Sequence, residues 1–213
     1  PWDDATLLLG EKETLGFYLS GHPLNRYAKE LAKFTTDKII ALHPSEHTNV
    51  TAAGLIANVR TRQTKRGDRI AIFSIDDGTG QVEVICLSEA FNKYRELIAD
   101  DQAVIIYGEL SMDDFSNKPR LSARELYTID EARERHAKFL QITINADKSF
   151  NVEQLKKVLS GYLGGSCPVV LSYRQQDAEA RIRLGKSWLI KPCDQLLTSI
   201  QRELMLDEAE VVY

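Results

Sequence analysis

Two apolar runs, IAIFSI at residues 70–75 and QVEVICL at residues 81–87, are separated only by Asp76-Asp77-Gly78-Thr79-Gly80. An Asp-Gly pair with a second glycine between apolar runs is a hairpin signal, because glycine takes a positive φ at no steric cost. A strand pair therefore anchors this part of the chain. Upstream, TAAGLIANVRT at residues 51–61 is rich in small and β-branched residues and reads as a preceding strand, followed by the polar, basic RQTKRGDR of residues 62–69. Downstream, Ala90, Phe91, Tyr94, Leu97 and Ile98 recur at helical spacing. AVIIYGELSMDDF and KPRLSARELYTI then read as two more strands.

Three strands, a helix and two strands, with no long crossover between them, is the order of a five-stranded OB barrel, expected here over residues 51–128. Such barrels take single strands on the faces of strands two and three and on the loops after strands one and four. Cations meet phosphates and aromatics stack on bases. The candidate contacts are Arg60, Arg62, Lys65, Arg66 and Arg69 in and around the first loop, Phe73 on the second strand, and Phe115, Lys118 and Arg120 near the fourth loop. Phe73 alternates with Ala71 and Ile75, so a place in the core is the competing reading. A net charge of −4 means that contact with nucleic acid must be a local patch.

Residues 1–50 read as a helical segment and linker. LLLGEKETLGFYLS, residues 7–20, fits a helix that Gly21 and Pro23 stop, and Leu24, Tyr27, Ala28 and Leu31 mark a second. Gly21-His22-Pro23 is expected to be a structural turn. His43, Glu46 and His47 spell an inverted zinc-protease motif, but Pro44 breaks the continuous helix that shared metal ligation needs. Residues 129–138 are expected to be a helical spacer. Residues 139–213 then read as a small α+β domain: strands FLQITINA, PVVLSYR and EARIRLG, a shorter strand or extension in SWLIKP, helices in VEQLKKVLSGYL and from Cys193 to Met205, and a final apolar AEVVY. The fold class is thus mixed β and α+β.

Candidate chemistry is sparse. Asp76 with Asp77, and Asp113 with Asp114, form carboxylate pairs, but at strand-end turns Asp is favoured for its local backbone hydrogen bonds. Cys86, Cys167 and Cys193 lie far apart without a Cys-x-x-Cys pair, which reads as reduced thiols. No run approaches the roughly 20 apolar residues of a membrane span, and no signal-peptide pattern opens the chain, so a cytoplasmic protein without a membrane partner is expected. Pro1 in place of a start methionine leads to the expectation of a piece of something larger.

EKETLGFYLSGHPLNRY at residues 11–27, the stretch from Thr51 to Tyr94, and IDEAR at residues 129–133 together resemble the C-terminal portion of the alpha subunit family of bacterial DNA polymerase III. The likeness keeps its order over essentially the whole chain. It implies an end at or near the natural terminus at Tyr213, and a non-catalytic fragment of a DNA-directed DNA polymerase whose catalytic carboxylates and magnesium lie upstream. It also implies that the fragment itself uses no cofactor, that the barrel meets single-stranded template, and that the last domain docks the clamp-loader tau subunit. The sliding clamp and other replisome subunits would be reached through the parent protein. Trp188, Glu210, Val211, Val212 and Tyr213 are the candidate partner contacts, against a reading of Trp188 as core and Val211 with Val212 as an internal strand. The family pattern puts an aromatic where this sequence has Leu87. Two alternatives stand beside this reading: an anticodon-binding OB module of an aminoacyl-tRNA synthetase, and a pure protein-interaction scaffold.

Overall fold

The computed structural model describes residues 4–15, 18–44, 48–114, 116–145, 150–175, 178–204 and 209–213. The chain divides into two compact units, Pro1–Ile129 and Asp130–Tyr213.

In the first unit, β1 (Asn49–Gln63), β2 (Arg69–Asp76), β3 (Gln81–Cys86), β4 (Ala103–Met112) and β5 (Pro119–Tyr127) close a barrel in the order β1-β2-β3-β5-β4. Every pairing is antiparallel except β3 with β5, which closes the barrel in parallel. The five-stranded OB barrel expected from the sequence is the observed architecture. Alternation explains the core: Ala71, Phe73 and Ile75 point inward from β2, and Val82, Val84 and Cys86 from β3, all buried. Between β3 and β4, α3 (Ser88–Tyr94) packs Ala90 and Tyr94 into the same core. Gly108 on β4 allows close approach of β5, since a Cβ there would lie 2.2 Å from the Ser122 carbonyl oxygen.

The segment before the barrel differs from expectation in the boundaries of its first helix, which begins and ends earlier. Helix α1 (Asp4–Leu15) ends before residue 20, and its Lys12 pairs with Asp101 at 3.1 Å. A 3-10 turn at Pro23–Tyr27 then leads into α2 (Ala28–Phe34). Gly-His-Pro is a structural turn: His22 Nδ1 accepts the Leu24 N–H at 3.3 Å, and its ring lies on Gly78 of the β2–β3 turn. Burial lowers the His22 pKa, against the opposing charges of Asp76 and Asp77. Of the inverted zinc motif, Glu46 and His47 lie outside the described residues.

The second unit is a four-stranded sheet, ordered β10-β6-β8-β9, of β6 (Phe139–Asn145), β8 (Val169–Gln175), β9 (Ala178–Arg183) and β10 (Ala209–Val212). Its core gathers Leu140 and Ile142 of β6 with Leu155, Val158 and Leu159 of α5 (Val152–Ser160) and Leu196 and Ile200 of α6 (Asp194–Leu204). Three details refine the sequence reading. Helix α4 (Ile129–His136) is the helix expected there, and its Arg133 is 2% exposed and reaches Asp130 at 2.8 Å and Asp194 at the start of α6 at 2.7 Å. Leu163–Cys167, without an apolar run, forms the short strand β7, which bridges Ile190. Gly165 permits this, since a Cβ would sit 2.2 Å from the Ile190 carbonyl oxygen. SWLIKP contributes a 3-10 turn at Lys186–Trp188 and the buried Ile190 rather than a strand of the sheet.

Candidate nucleic-acid interface

The outer face of the barrel is set by a bulge. Across from β2, the register of β1 jumps between Ala57 and Arg60, and Asn58 takes φ 59°, where asparagine is among the better-tolerated residues. The bulge is pinned on three sides. Asn58 Nδ2 donates to Ser74 Oγ at 3.3 Å, Ser74 Oγ donates to the Ala57 carbonyl at 3.1 Å, and the Val59 N–H donates to Asp100 at 3.2 Å. Beyond it Arg60 stands opposite Ile72 and Arg62 opposite Ile70. Directly paired residues share a face. Because Ile72 pairs Ile85, and Ile85 pairs Ser122, an outward row runs Arg60, Ile72, Ile85, Ser122 across four strands.

The first hairpin turn is held by its own backbone. The Thr64 N–H donates to the Asp68 carbonyl at 2.7 Å, the Gly67 N–H to the Thr64 carbonyl at 2.9 Å, and Gly67 takes φ 89°. The strands on either side run longer than the sequence suggested, so Arg60 and Arg62 lie on β1 itself and the turn is only residues 64–68. Arg60, Arg62, Lys65, Arg66 and Arg69 are all exposed, and none makes an ion pair among the described residues.

Two arginines at the opposite end of the face are neutralised. Arg120 Nε donates to Glu83 at 2.7 Å across the β3–β5 ladder, and its Nη1 is also bound to Asp113. Arg124 pairs with Glu109 at 2.9 Å. Lys118 is exposed, and Phe115 lies outside the described residues. The unpaired positive charge is therefore concentrated at the β1–β2 end.

Phe73 is corrected: it is 1% exposed, opposite the fully buried Val84, and cannot offer a ring to a base without opening the barrel. The apolar surface between the two ends is aliphatic, made of the half-buried Ile70, Ile72 and Ile85 and the 51%-exposed Leu87. Sequence reasoning missed these isoleucines. Their signal was alternation, since Ile70 and Ile72 must face outward if Ala71 and Phe73 face in.

Three of the four paired carboxylates, Asp76, Asp77 and Asp113, are committed to turns. Asp76 accepts the Gly78 N–H at 2.6 Å and Gln81 Nε2 at 2.8 Å. Asp77 accepts from the Ile39 N–H, the Thr79 N–H and hydroxyl, and the Gly80 N–H, between 2.7 and 3.1 Å. Burial pushes its pKa up, but these bonds outweigh burial and hold it below the usual value. Asp113 accepts the Ser116 N–H at 2.9 Å and hydroxyl at 2.7 Å, besides Arg120. Such carboxylates do not fit a magnesium pair, and no group of His, Cys, Asp and Glu among the described residues is placed to hold a metal. Burial raises the Cys86 thiol to about 12 and Cys167 to about 11, so both stay protonated.

In the second unit, Trp188 is half-buried against the core. The terminal run is no loose apolar end. Val211 pairs Leu140 and Val212 pairs Phe139 in the β10–β6 ladder, Val211 also packs on the core, and the Tyr213 carbonyl accepts Lys138 Nζ at 2.9 Å. Val211 and Val212 thus lie in a strand, the competing reading of this run. No described helix is long and apolar enough to cross a membrane.

Comparison with known proteins falls into the same two parts. Residues 50–129 match the family model described as OB-fold nucleic acid binding domain, and residues 154–204 match the one described as DNA polymerase III subunit alpha, C-terminal domain. The DNA polymerase III subunit alpha of Escherichia coli K12 is 38% identical over 218 aligned residues, covering 100% of this chain. That of Pseudomonas aeruginosa is 36% identical over 208, covering 97%. The chain spans 19% and 18% of those relatives' own length. Among solved structures, the SSB domain of a Synechococcus protein is similar over 38% of this chain and 94% of its own, at 9% identity and a TM-score of 0.34.

Proposed function

Since the chain belongs to the DNA polymerase III alpha-subunit family, as a portion corresponding to its C-terminal region, we propose that its barrel holds the single-stranded template of a replicative polymerase. The barrel is an OB-fold nucleic-acid-binding domain, a fold without catalytic machinery of its own. The observation that carries the template reading is the five exposed cations of the β1–β2 hairpin, which have no ion-pair partner among the described residues, while Arg120 and Arg124 are neutralised. Cations already paired to carboxylates gain little from a phosphate; free ones release the counterions of the strand and supply the affinity.

The strand would lie across β2 and β3, its phosphates at Arg60, Arg62, Lys65, Arg66 and Arg69, its bases over Ile72, Ile85 and Leu87. An aliphatic floor gives contact without ring stacking, so binding would depend on salt more than on base identity. Polymerisation, with its magnesium, would belong to the rest of the parent protein in the bacterial cytoplasm.

For the second unit the reading is docking of the clamp-loader tau subunit, which would keep the polymerase tethered to the replisome and its sliding clamp. Family membership supports it, together with the half-exposed Trp188.

Equilibrium binding of a fluorescent single-stranded oligonucleotide, with structured tRNA as competitor, tests the template reading. Preference for the oligonucleotide supports it. Preference for tRNA favours an anticodon-type module, and binding to neither leaves a scaffold.

A further inference from the structure

Among the described residues the sheet of the second unit has two edge strands, β10 and β9, and only β9 is exposed along its whole length. Strand β9 bonds to β8 on one side and to no strand among the described residues on the other, and all six of its residues are exposed. An unpaired edge is a row of free N–H and C=O groups, a template for another strand.

The register gives this edge two different sides. Ile182 pairs Leu171 and Ala180 pairs Tyr173, so they continue the face on which Leu171 pairs the core residue Ile142. Yet Ile182 is 54% and Tyr173 41% exposed, so the cover over Ile142 does not extend to β9. On the other face, Arg181 pairs Ser172 and Arg183 pairs Val170. Glu179 is already occupied: it accepts the Ser172 hydroxyl at 2.6 Å and lies 3.3 Å from Arg181 Nε and 3.8 Å from Arg174 Nε. Arg183 has no ion-pair partner among the described residues. Residues 173–186 carry Arg174, Arg181, Arg183 and Lys186 against Asp177 and Glu179, a positive stretch in a chain of net charge −4.

We propose that β9 is a docking edge for an extended segment of another protein in which acidic and apolar residues alternate, added as a fifth strand. Main-chain hydrogen bonds give such an addition its affinity, and alternate side chains give it specificity. The segment's apolar residues cover Ile182 and Ala180, and its acidic residues meet Arg181 and Arg183. Charge selects the occupant: a second copy of this edge brings equal positive charge. Nucleic acid satisfies the arginines but leaves Ile182 and the open backbone unused. The inference does not depend on the template reading or on the identity of the partner.

The test uses the 213-residue chain and a fluorescein-labelled peptide of about eight residues, a common strand length, alternating glutamate and valine. A proline-interrupted peptide of the same charge and an alternating lysine–valine peptide are the controls. The alternating acidic peptide is expected to bind and to slow amide exchange within residues 178–183, while neither control binds. Arg181→Glu with Arg183→Glu, and separately Ile182→Asp, should each weaken binding at least about tenfold. These side chains are exposed, and unchanged circular dichroism checks that the variants fold. Failure of the acidic peptide to bind at millimolar concentration, equal binding of the proline-interrupted peptide, or protection elsewhere in the chain overturns the proposal. So does a change of sedimentation mass in the double arginine variant, which would make the occupant a second copy. A loss of oligonucleotide affinity in that variant overturns it too, by assigning the edge to nucleic acid.

Discussion

The carboxylate of Asp77 accepts the backbone N–H of Ile39 at 2.9 Å, joining the β2–β3 turn to a segment 38 residues earlier. The same carboxylate takes three donors from its own turn, so one side chain both shapes the hairpin and docks the preceding segment on it. Asp77→Ala should lower stability by about 1–3 kcal/mol, the range for lost hydrogen bonds to a charged group, read as a shift of the urea midpoint. The pH dependence has a definite sign. A carboxyl whose folded pKa lies below its unfolded value contributes stability above the unfolded pKa and loses it as pH falls through the folded one. Wild type should lose this contribution below about pH 4, and Asp77→Asn should show a flatter acid limb.

Phe73 is a core residue, so Phe73→Ala should destabilise the barrel by about 3–5 kcal/mol through lost burial and a cavity. Oligonucleotide affinity, measured where the variant is still folded, should stay within about twofold of wild type. A large loss of affinity with unchanged stability would put the ring on the surface.

Gly108 on β4 sits against the backbone of β5. Gly108→Ala would force a methyl to within 2.2 Å of the Ser122 carbonyl oxygen, and backbone has less room to yield than a flexible side chain. A loss of at least about 1–3 kcal/mol is expected, with faster amide exchange in β4 and β5.

Arg133 is the buried cation of the second unit, tied to two half-exposed aspartates. Arg133→Ala removes both ties, but water reaches the carboxylates left behind, so the loss should be about 1–3 kcal/mol rather than that of a fully buried pair. Hydrogen exchange should quicken in α4 and α6.

The barrel was legible because its strands alternate and its turns carry Asp-Gly and Gly: IAIFSI and QVEVICL each put one face inward, and the helix between β3 and β4 has its own period. The free cations of the first hairpin were legible as charge. What could not be read was register. The bulge at Asn58 has no sequence mark, yet it sets Arg60 opposite Ile72, and the pairing of Arg120 with Glu83 and Asp113 spans 37 and 7 residues. In the second unit, LGGSC carries no apolar run to mark a strand, and Gly165 is explained only by its approach to Ile190. Which strand Val211 and Val212 would join could not be read, because β6, their partner, lies far away in sequence. The tie of Arg133 to Asp194 joins residues far apart in sequence, so the charged run alone does not show it.

The measurement that bears most directly on the central claim is the salt dependence of oligonucleotide binding, by fluorescence anisotropy, for wild type and for a variant carrying Lys65→Ala and Arg66→Ala. Removing one cation from a phosphate of a single strand should reduce the slope of log K against log salt concentration by about 0.7. The variant should therefore bind more weakly, with a slope shallower by about 1.4. A variant that binds as tightly as wild type with the same slope, or a wild type that shows no binding at low salt, would contradict template contact through this hairpin.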